Sequence, residues 1–291
     1  MMRSMHMGNS APARGIAAIV GVGPKLGRSV ARKFAHEGYT VAILARDLGR
    51  LSMFAEEIAR EEKAQVFAIR IDCSDSRSIR EAFEGVLSLG FVEVLVYNAY
   101  CPAALQPTNF ADVSLAAFER SLAVSSVGAF LCAQQVLPGM VERRKGTILF
   151  TGCAASLNGI PGFSDLCCGK FALRGLSQCL AREFQALGVH IAHVVIDGLV
   201  GSPRGPSSTS PSTGSTTGGG WWQRTAVVGE QLVQQQQQVV EGEVVVDGGG
   251  PPEPMMMMDP DSLAQTYWHL HVQDRTCWTQ EIDLRPSHSQ Q

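Results

Sequence analysis

The chain has no surplus of basic residues: 24 Lys and Arg stand against 27 Asp and Glu, a formal net charge of -3 over 291 residues. That balance lacks the electropositive footprint that nucleic acid or an anionic bilayer requires, so neither is an expected partner and a small molecule is. Its eight cysteines, at 73, 101, 132, 153, 167, 168, 179 and 277, include no C-x-x-C pair. The usual zinc and dithiol spacings are therefore excluded, no metal is expected, and the thiols read as reduced. The opening MMRSMHMGNSAPARG lacks the apolar core of a secretory leader and is too poor in arginine for a transit peptide. No run reads as long and apolar enough to span a bilayer. A soluble, cytoplasmic protein is expected, with organellar import left open and a homodimer or homotetramer as the expected assembly.

What is present is a hydrophobic fraction of 45%, enough to bury one large core. Six short apolar runs, GIAAIVG from Gly15, YTVAILA from Tyr39, AQVFAIRI from Ala64, VEVLVYN from Val92, GTILFTG from Gly146 and VHIAHVVI from Val189, alternate with helix-length segments. This predicts an α/β fold, a Rossmann-type doubly wound parallel sheet with helices on both faces. WTQEIDL, ending at Leu284, reads as a seventh strand, preceded by a helix that Asp259 caps and Pro260 opens. Gly38 is placed to stop the first helix. Residues 202–258, with SSTSPSTGSTT, QQQQQ and GGGPPEPMMMM, are of low complexity and expected to be disordered. The expected organisation is a flexible tail over 1–13, one domain formed by 14–201 and 259–286, the insertion at 202–258, and a C-terminal tail over 287–291.

VGVGPKLGRSVA follows the first strand and opens the first helix. Glycines at 21, 23 and 27 would let the backbone turn and approach a pyrophosphate at the helix N-terminus. An ordinary strand-to-helix turn gives the same string, and only its context strengthens it. The second strand ends in VAILARD, where Arg46 suits a ribose 2′-phosphate and so favours NADP(H) over NAD(H). Asp47 follows it, and a merely solvated arginine is the plainer alternative.

With these elements the chain resembles the short-chain dehydrogenase/reductase superfamily. The family's T-G-x-x-x-G-x-G corresponds to Val20 through Gly27, with Lys25 replacing its middle glycine. The resemblance implies a nicotinamide cofactor held by Gly21, Gly23, Lys25, Leu26 and Gly27. Asp72 and Cys73 would lie at the adenine, Asn98 and Ala99 would support the central strand, and Lys170, Gly198 and Val200 would lie at the nicotinamide end. Tyr97 and Tyr100 replace the family's flanking Asn and Gly. The catalytic places hold Cys153 for the family's Ser, Leu166 for its Tyr, Lys170 for its Lys and Ser125 for its Asn. Lys170 can still meet ribose hydroxyls, whereas Leu166 has no proton to give. Tyr100 is the first candidate for a substitute donor, against simple pocket lining. Loss of a general acid typically costs about 10² to 10⁴ in rate.

Within the superfamily the chain resembles a divergent branch without the active-site Tyr, through TILFTG, KFALR, HVVIDG and the C-terminal YWHLHVQ and WTQEIDLRP. His269 and His271 on their helix, and His190 and His193 on their strand, are spaced to point apart, which disfavours shared metal ligation. The Trp and Tyr of TYWHLH are expected to close the substrate side of the core or a subunit contact, and Glu281 and Asp283 to be polar strand residues. Two functions stay open: an NADP(H)-dependent oxidoreductase on an unknown carbonyl or alcohol, and a non-catalytic NADPH-binding sensor or interaction protein.

Overall fold

A computed structural model describes residues 14–101, 105, 107–203 and 257–286. Both tails and nearly all of the segment expected to be disordered lie outside the described residues. The strands are β1 (Ile16–Val20), β2 (Thr40–Ala45), β3 (Val66–Arg70), β4 (Val92–Tyr97), β5 (Gly146–Cys153), β6 (Val189–Ile196) and β7 (Glu281–Leu284). They form one parallel sheet in the order β3-β2-β1-β4-β5-β6-β7. β1, β4 and β6 are buried along their whole length, as strands covered on both faces must be. Along β1, Ile16, Ala18 and Val20 enter one core and Ala17 and Ile19 the other.

The helices are α1 (Leu26–His36), α2 (Leu48–Glu62), α3 (Ser76–Ser88), α4 (Leu115–Leu122), α5 (Gly128–Glu142), α6 (Ser164–Phe184) and α7 (Pro260–His271). Gly38, at φ +86°, stops α1 as expected. Asp259 caps α7 by accepting from the Asp261 amide at 3.0 Å, ahead of Pro260. The seventh strand begins later than expected. Gln273 holds Thr279 out of the ladder through its backbone N–H at 2.9 Å and its hydroxyl at 2.8 Å.

Two expectations need correction. Met258 belongs to the folded body: its amide donates to Leu199 O at 2.7 Å, and its carbonyl accepts from Gly201 N at 2.8 Å. And one continuous helical stretch, Leu115–Glu142, is long and apolar enough by length and composition to cross a membrane. A five-residue π turn, Ala123–Val127, joins α4 to α5 within it, and α5 lays Ala129, Cys132, Ala133, Val136 and Met140 into the core. Leu115, Val127 and Phe130 of the same stretch are exposed.

At the N-terminal ends of the strands Thr147, His271, Tyr39 and Glu93 form a hydrogen-bonded chain. One assignment satisfies every atom: Thr147 Oγ1 donates to His271 Nδ1 at 2.9 Å, His271 Nε2 donates to the Tyr39 oxygen at 2.6 Å, and Tyr39 donates to Glu93 at 2.9 Å. It requires neutral His271, and burial pushes that imidazole down to about 4. Unfolded His titrates near ~6.5, so the native state refuses a proton that the unfolded chain binds. The associated stability is complete above about pH 6.5 and is lost as pH falls toward 4, by about 3 kcal/mol for this group. Urea unfolding at pH 7.5 and 4.5 checks it: His271→Gln should flatten the loss, and an unchanged slope would contradict it.

Candidate functional site

Ligands of open α/β sheets bind where the strand order reverses, here between β1 and β4. Gly21 leaves β1 at φ +83°, and a Cβ there would stand 2.5 Å from the Ala99 amide nitrogen. Only glycine fits. The loop is tied down by Gly21 N donating to Leu44 O at 2.8 Å and by Asn98, whose Nδ2 donates to Gly21 O at 3.0 Å. A Cβ on Gly23 would meet nothing within 4 Å, so the backbone there is open to approach. Behind it, a Cβ on Gly27 would reach Val22 Cα at 2.8 Å, which seats α1 against the loop with Leu26 buried.

Gly21, Gly23, Asn98 and Ala99 line a cleft together with Arg46, Asp72, Cys73 and Tyr100, whereas Leu26 and Gly27 lie behind it. Asp72 accepts from the Ser74 amide at 2.9 Å and hydroxyl at 2.6 Å, and the Ser74 bonds hold its carboxyl below the usual carboxylate range. Burial pushes the Cys73 thiol up to about 11, so it lines the cleft as a neutral group. Asp47 does not compete with Arg46: it caps α2, accepting from Arg50 N at 3.1 Å. Arg50 and Arg120 also line the cleft, and sequence reasoning missed both. No local pattern marks them, because Arg120 arrives on α4 from a distant part of the chain. Three guanidiniums against two carboxylates leave the cleft electropositive. The open glycine backbone and this charge fit a phosphate-bearing dinucleotide.

Lys25 departs from its expected place. It does not line the cleft; its Nζ donates to Val200 O at 2.6 Å and so latches the glycine loop to the segment after β6. Gly198 sits under Met258, whose Sδ lies 2.9 Å from where a Cβ would be. Val200 thus holds the loop through Lys25, and neither Gly198 nor Val200 is among the residues that line the cleft.

At the catalytic places Lys170, Leu166 and Ser125 are buried and Cys153 is half-buried. Lys170 is 6% exposed, and its Nζ donates to Thr151 O at 2.9 Å, where a ribose partner was expected. Burial lowers the pKa of its ammonium. Leu166 is buried in an apolar cluster with Cys101, Phe163 and Cys167, against which Cys153 packs. Ser125 is fully buried in the π turn with its hydroxyl unpartnered, against Gly169 of α6. The turn is held by Tyr97, whose phenol donates to Val124 O and would lie 2.5 Å from a Cβ on Gly128. Of the residues expected at the chemical end, only Tyr100 faces the cleft, and it is 47% exposed.

The two C-terminal aromatics part company. Tyr267 is buried beneath Lys170's acceptor, its hydroxyl 2.7 Å from Thr151 Oγ1, and Trp268 packs on Phe34 and Tyr39 at the opposite end of the sheet. Glu281 ties β7 to α6 through two contacts of 2.7 Å with Arg174, and it reaches His193 at 3.1 Å.

Residues 15–207 match the family model for short chain dehydrogenases. The chain is 33% identical over 174 residues to inactive 2-(S)-hydroxypropyl-CoM dehydrogenase 2 of Xanthobacter autotrophicus, covering 60% of this chain and 72% of that one. It is 28% identical over 181 residues to 3-ketodihydrosphingosine reductase of Bos taurus, covering 60% of this chain and 53% of that one. Among solved structures, a metagenomic short-chain oxidoreductase in complex with NADP superposes with a TM-score of 0.69 at 20% identity, over 94% of this chain and 98% of that one.

Proposed function

The chain belongs to the short-chain dehydrogenase/reductase family of oxidoreductases, which bind nicotinamide cofactors, and from that premise we propose that it binds NADP(H) and has lost most of the family's carbonyl-reducing power. The observation that carries the reading is the contrast between an open, electropositive nucleotide cleft and a chemical end filled by Leu166. Bound cofactor would supply hydride. The chain's own part is to present the Gly21–Gly23 backbone to the pyrophosphate, Arg46 to the 2′-phosphate and Asp72 to the adenine. Lys170 stays on the Thr151 carbonyl until something draws it away, and Leu166 offers no proton to a substrate oxygen. The eight cysteines are all unpaired, which fits a reducing compartment such as the cytoplasm.

One observation favours a second reading. Tyr100 brings a half-exposed phenol to the cleft, and an oxidoreductase acting on an unknown carbonyl could draw its proton from there. Tyr100→Phe separates the two, since it abolishes turnover only under the second.

The cofactor assignment is tested by titrating NADPH and NADH. Arg46→Ala should weaken NADPH by about 10-fold or more and leave NADH unchanged, as loss of a charge-assisted contact predicts. Equal affinities in the native protein would remove the basis for NADP(H).

A further inference from the structure

The C-terminal signature is not used by the nucleotide cleft. It builds a second one at the opposite end of the sheet, where β1, β2, β4, β5 and β6 begin, with a volume of about 510 Å³. That size lies in the range of small-molecule pockets, roughly 300–1,000 Å³. Its aromatic surfaces are Trp268, Tyr39 and Trp278, and the Trp278 indole lies flat on His190 at 5.0 Å and 5°. Arg14 stands over the Tyr39 and Trp268 rings at 5.3 and 5.2 Å. Across the cleft Arg275 donates to the Arg144 carbonyl at 2.5 Å, which leaves further N–H groups of its guanidinium to donate.

The charges of the cleft are Arg14, Lys145 and Arg275 against Glu93. Lys145 is paired with Glu93 at 2.9 Å, so the two arginines carry the excess. Their forked guanidiniums match a carboxylate in shape and charge, while the buried Glu93 carboxylate disfavours a dianion. His190, 2% exposed, is fixed under the Trp278 ring by Nε2, which lies 2.8 Å from Thr279 O. Indole faces beside a pair of cations suit a planar ring bearing one negative charge.

We propose that this cleft is a second ligand site, separate from the nucleotide cleft, and that it takes an aromatic carboxylate whose ring lies on Trp268 or Trp278 and whose carboxylate meets Arg14 and Arg275. Nothing in it depends on how the cofactor cleft is used.

The test is isothermal titration of the full chain with 2-naphthoate, with and without saturating NADPH. Saturable binding with one site per chain is expected in both conditions. Arg14→Ala combined with Arg275→Ala removes two exposed side chains and should leave the fold intact while weakening 2-naphthoate at least about 10-fold. The neutral 2-naphthamide should bind the native protein weakly by a similar factor. Arg46→Ala, in the other cleft, should change nothing. The proposal is overturned if 2-naphthoate does not saturate at millimolar concentration or if the arginine pair can be removed without loss. Displacement by NADPH or loss in Arg46→Ala would also overturn it, because the ligand would then lie in the nucleotide cleft.

Discussion

Leu166→Tyr combined with Cys153→Ser is expected to raise NADPH-dependent reduction of simple aldehydes and ketones by roughly 10- to 10³-fold. The substitution returns an acid and a hydroxyl to the two places where the chain has a hydrocarbon and a thiol. A phenol at 166 would also give the Lys170 ammonium a partner other than Thr151 O, which it now holds at 2.9 Å, and a nearby ammonium favours the phenolate. The gain should fall short of the full general-acid factor because Ser125 remains turned into the helix packing against Gly169. Leu166 is buried with Phe163 and Cys167, so the larger ring costs about 1–3 kcal/mol of stability through overpacking. Turnover is therefore measured with folding checked by thermal unfolding. A folded, NADPH-binding double variant with no gain would show that the missing acid is not what limits the protein.

Gly21→Ala should be strongly damaging. It forces a side chain into φ +83° and sets a Cβ 2.5 Å from the Ala99 nitrogen. Strain and overlap together are expected to cost about 2–5 kcal/mol and to weaken NADPH by roughly 100-fold or more, since the pyrophosphate turn would move. Gly23→Ala is the informative partner. Its Cβ meets nothing within 4 Å, so stability should stay within about 0.5 kcal/mol while NADPH binding still falls. Chemical denaturation and cofactor titration of both variants separate the two effects; equal stability losses would mean that Gly23 is a structural glycine as well.

Much of the fold was legible in the chain because its signals are local. Buried parallel strands read as continuous apolar runs, Gly38 and Asp259 mark helix ends, and the strand-glycine-helix order around Gly21 places the phosphate turn. Of the cleft residues, Arg46 follows from its position at the end of the second strand, whereas Asp72, Asn98 and Ala99 were reached through the family resemblance. What could not be read was decided by contacts distant in sequence. Lys25 goes to Val200 and Lys170 to Thr151, partners that spacing does not reveal. Within TYWHLH, Tyr267 reaches Thr151 near the C-terminal end of β5, while Trp268 and His271 lie at the other end, by the start of β2 and β5, because α7 runs antiparallel to the strands. Arg120 was invisible for the same reason, since nothing near it in sequence indicates that α4 delivers it to the cleft.

The account turns on an intact nucleotide cleft beside a chemical end without an acid, and single-turnover oxidation of bound NADPH tests that most directly. Protein in excess of NADPH is mixed with each of a broad panel of aldehydes and ketones, and loss of the reduced nicotinamide absorbance is followed by stopped flow. NADPH should stay bound and be oxidised far below the roughly 1–10³ s⁻¹ typical of enzymes, with every carbonyl. Oxidation of the native protein's NADPH within that range by any one of them would contradict the account.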